Sequence, residues 1–127
     1  MDQAWEAAIK RGDAAWIRER LAGGADANAR DKQGQTGVMI AAHDGRIEVV
    51  DALIAAGADL NVTAKYRLTA LMLAVVAGHE EIARLLARSG ADLAVRGSGA
   101  PGFAGKTASD LAAAQGRSDL AEDLRPL

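Results

Sequence analysis

Eight consecutive residues come nearest to reactive chemistry in this 127-residue chain: Ala100-Pro101-Gly102-Phe103-Ala104-Gly105-Lys106-Thr107. They satisfy a relaxed phosphate-loop pattern with alanine at the first glycine position. In such a loop the glycines let backbone amides wrap phosphate oxygens, Lys106 would reach the outer oxygens, Thr107 would hold magnesium, and a helix N-terminus follows. The chemistry also needs a buried parallel strand before the loop, a long helix after it, and a later apolar strand ending in aspartate to orient the metal. Only 20 residues follow Thr107, and none of that context is among them. Nucleotide or phosphate binding by residues 100–107 therefore enters as the alternative reading, not the leading one.

Other reactive side chains are sparse. His43 and His79 are the only histidines, and neither has the neighbours of a nucleophilic triad or a metal site. With no cysteine, disulfides, thiolate zinc sites and a thiol nucleophile are all excluded. Asp26, Asp59 and Asp92 look like a carboxylate series but recur at a constant spacing of 33, which fits turn-stabilising hydrogen bonds better than acid–base work. We expect no catalytic, metal-binding or cofactor-binding residues. A net charge of −2 supplies no whole-chain positive field for nucleic acid. The longest apolar run, Ala70 to Ala77, is far short of the roughly 20 residues that span a bilayer. The start, Met1-Asp2-Gln3-Ala4-Trp5-Glu6, has neither the basic nor the apolar region of a secretory signal, so a cytoplasmic location is expected.

The positions of these residues follow from a period. Gly12, Gly45 and Gly78 lie 33 apart, as do Gly24, Gly57 and Gly90, and Gly-Ala-Asp recurs at 24–26, 57–59 and 90–92. Such self-similarity marks a repeat architecture. Thr36 and Thr69 keep the spacing, whereas Thr107 and Gly116 come 38 after their counterparts, which places five inserted residues between Arg96 and Thr107. Within a unit, Thr69 is suited to cap a short helix over Ala70–Ala77 that Gly78 ends. A second helix over Glu80–Arg88 carries Ile82, Leu85 and Leu86 at the spacing of a buried face, and Gly90 supplies a left-handed terminator. Helices this short are unstable alone and a single pair encloses no core, so each pair must bury its apolar face on the next. An aromatic content of 3% with abundant alanine and leucine agrees with close-packed helices and not with a β-sandwich. The fold class expected is an all-α solenoid of stacked helix-turn-helix units with short loop or hairpin fingers.

These units resemble ankyrin repeats. The second carries Thr36, Ala41-Ala42, Gly45, Glu48-Val49-Val50, Leu53-Ile54 and Gly57-Ala58-Asp59-Leu60-Asn61. The third carries Thr69, Leu71, Ala74, Gly78-His79, Glu81-Ile82, Leu85-Leu86 and Gly90-Ala91-Asp92. The resemblance runs over essentially the whole chain and implies one domain of four helix pairs: residues 1–30, 31–63, 64–96 and 97–127. It departs from the family where Gly37, Ala70 and Ala108 replace the proline after threonine, and where Met39, Met72 and Asp110 replace its histidine. Glu19-Arg20 in the first unit, and Ser109, Asp123 and Arg125 in the last, are polar where inner units are apolar; they read as capping units of a complete chain. Trp5 and Trp16 align with the inward Val38 and Val49 and read as core fillers of the first unit.

The resemblance implies a non-enzymatic protein–protein interaction module that binds another protein on a concave face of loops and first helices. It is expected to be a monomer when free, to take no cofactor, and to bind neither nucleic acid nor membrane. A structural accessory subunit of a larger assembly is a further alternative. His79 takes the family's Gly-His place, where the ring links neighbouring loops. The variable partner-facing positions fall on Lys32, Gln33, Gln35, His43 and Asp44 in the second unit, and on Lys65, Tyr66, Leu68, Val76 and Ala77 in the third. Thr63 and Arg96 stand just before the next loop. Ala64 and Arg67 replace the Asp31 and Gly34 of the standard turn, which weakens its local support. Lys65-Tyr66-Arg67-Leu68 is thus expected to expose an aromatic, an aliphatic and two cations together. The glycine-rich residues 97–103 are expected to be mobile, with Phe103 either tucked onto the last helix pair or offered to a partner.

Overall fold

The threonines at the equivalent position of the last three units each begin a helix. The hydroxyls of Thr36, Thr69 and Thr107 accept from the backbone amides of Met39, Met72 and Asp110, which would otherwise be orphaned at a helix start. Each such cap contributes about 1 kcal/mol. Asp2 and Asp13 do the same in the first unit, accepting from the amides of Trp5 and Trp16. In the computed structural model, which describes residues 1–126, these starts lead into four helix pairs. They are α1 (Gln3–Arg11) and α2 (Ala14–Ala22), α3 (Gly37–Asp44) and α4 (Ile47–Ala55), α5 (Ala70–Ala77) and α6 (Glu80–Arg88), and α7 (Ala108–Ala114) and α8 (Ser118–Asp123). No strand occurs among the described residues; the fingers hold only isolated bridges, Arg30 with Thr36 and Gly97 with Ala104.

The first helices pack in one row, α1 to α3 to α5 to α7, and the second helices in a parallel row behind them. Position in that row decides composition. The inner helices α3 and α5 are covered on nearly every side, so residues 38–42 and 70–75 are buried without a polar stripe. Helix α6 has one neighbour row to face and buries only Ile82, Ala83 and Leu86. Met39 and Met72 are fully buried, the apolar filling expected where the family has histidine. Gly37 is explained by space: an added Cβ would lie 3.0 Å from Ile9 Cδ1 and 3.4 Å from Leu53 Cδ1. A larger residue there would have to displace those side-chain ends by a few tenths of an ångström.

The glycine period has a second cause beyond left-handed capping. Gly12, Gly45 and Gly78 end α1, α3 and α5 at φ 76°, 76° and 85°. Beside each lies a side chain of the following unit: Arg46, His79 and Arg117, within 3.1, 2.8 and 3.1 Å of where a Cβ would sit. All three side chains occupy one repeat position and reach back to carbonyls at the preceding helix end. Arg46 Nε donates to Lys10 O at 2.9 Å, His79 Nε2 lies 3.1 Å from His43 O, and Arg117 Nη1 lies 3.4 Å from Gly78 O. Because a carbonyl only accepts, His79 carries its proton on Nε2. The predicted link through His79 is present, and arginine performs the same task in two other units.

A second ladder runs through the loops. Asp26, Asp59 and Asp92 accept from the amides two residues on, as expected of turn aspartates. Asn28 and Asn61 then accept, each at 2.7 Å, from the amides of Asp59 and Asp92 in the next unit.

Two expectations need correction. Trp5 is buried but Trp16 is only half-buried, its ring lying 4.6 Å below the Arg20 guanidinium and 6.2 Å from Trp5. Ser109 does not lie on an outer polar surface: it is buried, and its hydroxyl donates to Ala121 O at 2.6 Å. Asp123 is exposed on α8, as a polar residue of the last unit was expected to be, and pairs there with Arg84 of the preceding unit.

Candidate partner-binding face

The second and third fingers are built differently. In the second, Asp31 Oδ1 accepts from the amides of Gln33 and Gln35 at 2.9 and 2.8 Å, and Gly34 takes the left-handed turn position at φ 79°. The third has alanine in place of that aspartate and no glycine. Its tip is a single 3-10 turn, Lys65–Arg67, in which Tyr66 and Arg67 are held at φ 61° and 57°. Left-handed backbone costs a residue with a side chain roughly 1–2 kcal/mol, so something must hold the turn in place.

The inserted loop holds it. Ser98 N donates to Tyr66 O at 2.8 Å, and the rings of Tyr66 and Phe103 lie 5.8 Å apart at a tilt of 36°. Gly99 lets that ring approach, since a Cβ there would come 3.1 Å from Tyr66 Cδ1. Gly97 is required by backbone crowding: its Cβ would lie 2.5 Å from Phe103 O. Phe103 is half-buried, its ring lying against Tyr66 of the preceding finger. The insertion is not an open tether, because amides 97 and 103–106 all donate within it.

Those bonds also answer the phosphate-loop reading. The amides of Phe103 and Ala104 donate to Ala100 O, Gly105 donates to Gly97 O, and Lys106 donates to Phe103 O. Thr107 is buried and caps α7, while its own amide donates to the Asp110 carboxylate. That hydrogen bond holds the Asp110 carboxyl below its ordinary range against the opposing effect of burial, with lesser help from the Thr107 hydroxyl and the charges of Arg96 and Lys106. A carboxylate therefore occupies the helix start that a phosphate would need, and the amides that would wrap it are already used.

The fingers enclose a cleft of about 210 Å³. Gln33 and Gln35 form one wall, Ala64, Lys65 and Tyr66 the other, and Leu68 and Leu73 also line it. Five of the predicted contact residues are thereby brought together: Gln33, Gln35, Lys65, Tyr66 and Leu68. Phe103 joins them through the Tyr66 ring. Leu68 was expected at the exposed tip with its neighbours but is only 6% exposed, because the turn directs it inward against the core. Lys32 and Arg67 are exposed on the tips, Thr63 is half-buried in a finger stem, and Arg96 Nη1 donates to Gly105 O at 2.6 Å.

The remaining residues lie elsewhere. His43 and Asp44 end α3, with Nδ1 and Oδ1 3.2 Å apart, and Val76 and Ala77 end α5. An eight-residue helix, about 12 Å of rise, separates these ends from the fingers. Val76 is exposed, and Gln115, which caps the end of α7, donates to Val75 O beside it at 2.9 Å.

A family model described as "Ankyrin repeats (3 copies)" matches residues 5–97. The chain belongs to the ankyrin repeat family. No curated protein matches it significantly. Ankyrin repeats are generally protein–protein interaction modules and are typically non-enzymatic. The matched residues of this ankyrin chain end where the insertion begins, leaving the α7–α8 pair outside them although it stacks on α5 and α6. Sequence reasoning missed Leu73, Ser98 and Gly99 in the ankyrin finger face. Leu73 was the most accessible of the three, since it lies one helical turn beyond the capping Thr69 and so on the finger end of α5. Among the described residues no group of His, Asp and Glu is arranged to hold a metal, and no helix is long and apolar enough to cross a membrane.

Proposed function

We propose that this ankyrin stack is a non-enzymatic protein-binding module, monomeric when free, whose partner lies across the fingers and the exposed ends of the first helices. The observation that carries the reading is the cleft between the second and third fingers, where polar walls from Gln33 and Gln35 meet Lys65 and Tyr66 over the apolar Leu68 and Leu73. A rigid stack behind it supplies a preorganised surface, which reduces the ordering cost of binding. The strained Tyr66-Arg67 turn, propped by the insertion, is stability given up at a site of contact. Lys32, Gln33, Gln35, His43, Asp44, Thr63, Lys65, Tyr66, Arg67, Val76, Ala77, Arg96 and Phe103 are the contact set, with Leu68 acting from beneath.

Site-specific photocrosslinking in native cells tests the proposal. A crosslinker replacing Lys32, Tyr66 or Val76 is expected to capture the same protein, whereas one at Glu48 or Arg88, exposed on the second helices, is not. Capture confined to Glu48 and Arg88 would move the surface to the other side of the stack.

A further inference from the structure

The fingertips differ in charge from the rest of the molecule. Residues 29–35, 62–68 and 95–106 hold six cations, Arg30, Lys32, Lys65, Arg67, Arg96 and Lys106, against one carboxylate, Asp31, in a chain whose net charge is −2. The remainder is therefore acidic. Pairing follows the same division: six of the nine cations outside the tips form ion pairs, and none of the six tip cations does so among the described residues. Asp31 is committed to the Gln33 and Gln35 amides, and Asp110, the acidic neighbour of Arg96 and Lys106, to Thr107. A row of excess positive charge, six cations against Asp31 and the neighbouring Asp110, crosses three consecutive fingers, with one small cleft lined by Leu68 and Leu73 in its middle.

We infer that the partner presents an acidic extended segment, with carboxylates set against the fingertip cations and one aliphatic side chain seated in the cleft. The inference rests on the finger-face reading above and specifies the chemistry of what binds there. About 210 Å³ is ample for an aliphatic side chain, a 150 Å³ apolar cavity being enough for benzene. The Gln33 and Gln35 amides offer donors and acceptors to an extended backbone. Complementary charge sets the approach and the register of such a segment, and the cleft supplies the anchor. Nucleic acid fits less well. The Tyr66 and Phe103 rings lie against each other and Lys65 Nζ stands 5.0 Å over Tyr66, so the Tyr66 ring is already engaged by two neighbours and is a poor stacking platform for a base.

Fluorescence anisotropy with the full chain decides it, using three labelled twelve-residue peptides and a dodecamer of single-stranded oligothymidine. The first peptide alternates Glu and Asp around a central Leu; the others replace the acids by Gln and Ser, or by Lys. Saturable binding of the acidic peptide alone is expected, falling at least tenfold in K32E/K65E and several-fold between 50 and 300 mM salt. Both substituted residues are exposed, and an unchanged circular dichroism spectrum shows that the variant is folded. Equal or tighter binding of the Gln/Ser or Lys peptide overturns the acidic assignment and leaves the finger face standing. Tighter binding of the oligonucleotide, no binding of any probe, or indifference of the acidic peptide to K32E/K65E overturns the inference as well. Loss of the finger face itself would show separately, as crosslinks confined to the second helices.

Discussion

At Gly45 one residue meets two demands, and their sizes are separable. It ends α3 in the left-handed region, where replacing glycine costs about 1 kcal/mol. It also seats His79, whose Cε1 lies 2.8 Å from the place of a Cβ. Alanine must move that ring and break its bond to His43 O, at a further cost of about 1 kcal/mol. Gly45→Ala is therefore expected to lower stability by about 2 kcal/mol in urea titration. In a His79→Ala background the same change should cost only about half as much, because the backbone term alone survives. Equal costs in the two backgrounds would show that the seat has no energetic role. The position paired with it, filled in turn by Arg46, His79 and Arg117, shows why single residues were hard to read: two residue types perform one task, and a search for matching histidines passes over both arginines.

The third finger carries the most informative element-scale feature. Its 3-10 turn holds Arg67 at φ 57° where the second finger has Gly34, and aligned position and conformation agree although the residue type does not. Arg67→Gly removes a strain of roughly 1–2 kcal/mol and adds roughly 0.5–1 kcal/mol of unfolded-state freedom. The net expectation is a gain of about 0.5–1 kcal/mol in thermal or urea unfolding. Partner binding should weaken at the same time, since an exposed fingertip cation is lost. A destabilised Arg67→Gly would mean that the guanidinium, and not the backbone, sustains the turn. The insertion is the element the sequence left open. Its glycines were legible as glycines, but their purpose depends on how the loop folds: Gly97 clears the Phe103 carbonyl within the insertion, and Gly99 clears the Tyr66 ring of the preceding finger.

Stacking in two rows makes stability a matter of place. Leu53 and Leu124 are both fully buried, yet Leu53 lies in the middle of the stack and Leu124 follows α8 at its end. Either leucine replaced by alanine should cost about 2–5 kcal/mol locally. In a nearest-neighbour stack the consequences differ. Leu53→Ala is expected to lower amide protection across all four pairs, whereas Leu124→Ala should release α7 and α8 first and leave α3 and α5 nearly as protected as before. Hydrogen exchange read by mass spectrometry distinguishes these outcomes, and uniform loss of protection in Leu124→Ala would show that the stack opens as one unit.

A 33-residue period, capping threonines and left-handed glycines are local and repeated, so the sequence by itself determined the helix pairs, their order and the turn aspartates. It also placed Gln33, Gln35, Lys65 and Tyr66 on one surface, because equivalent positions of stacked units must be neighbours. Which side of the third turn Leu68 would take, where Phe103 would pack, and whether the loop amides near Lys106 were available to a phosphate were decided only in the tertiary structure. Each depends on a one-off contact outside the period, and a repeating pattern carries information only about what repeats.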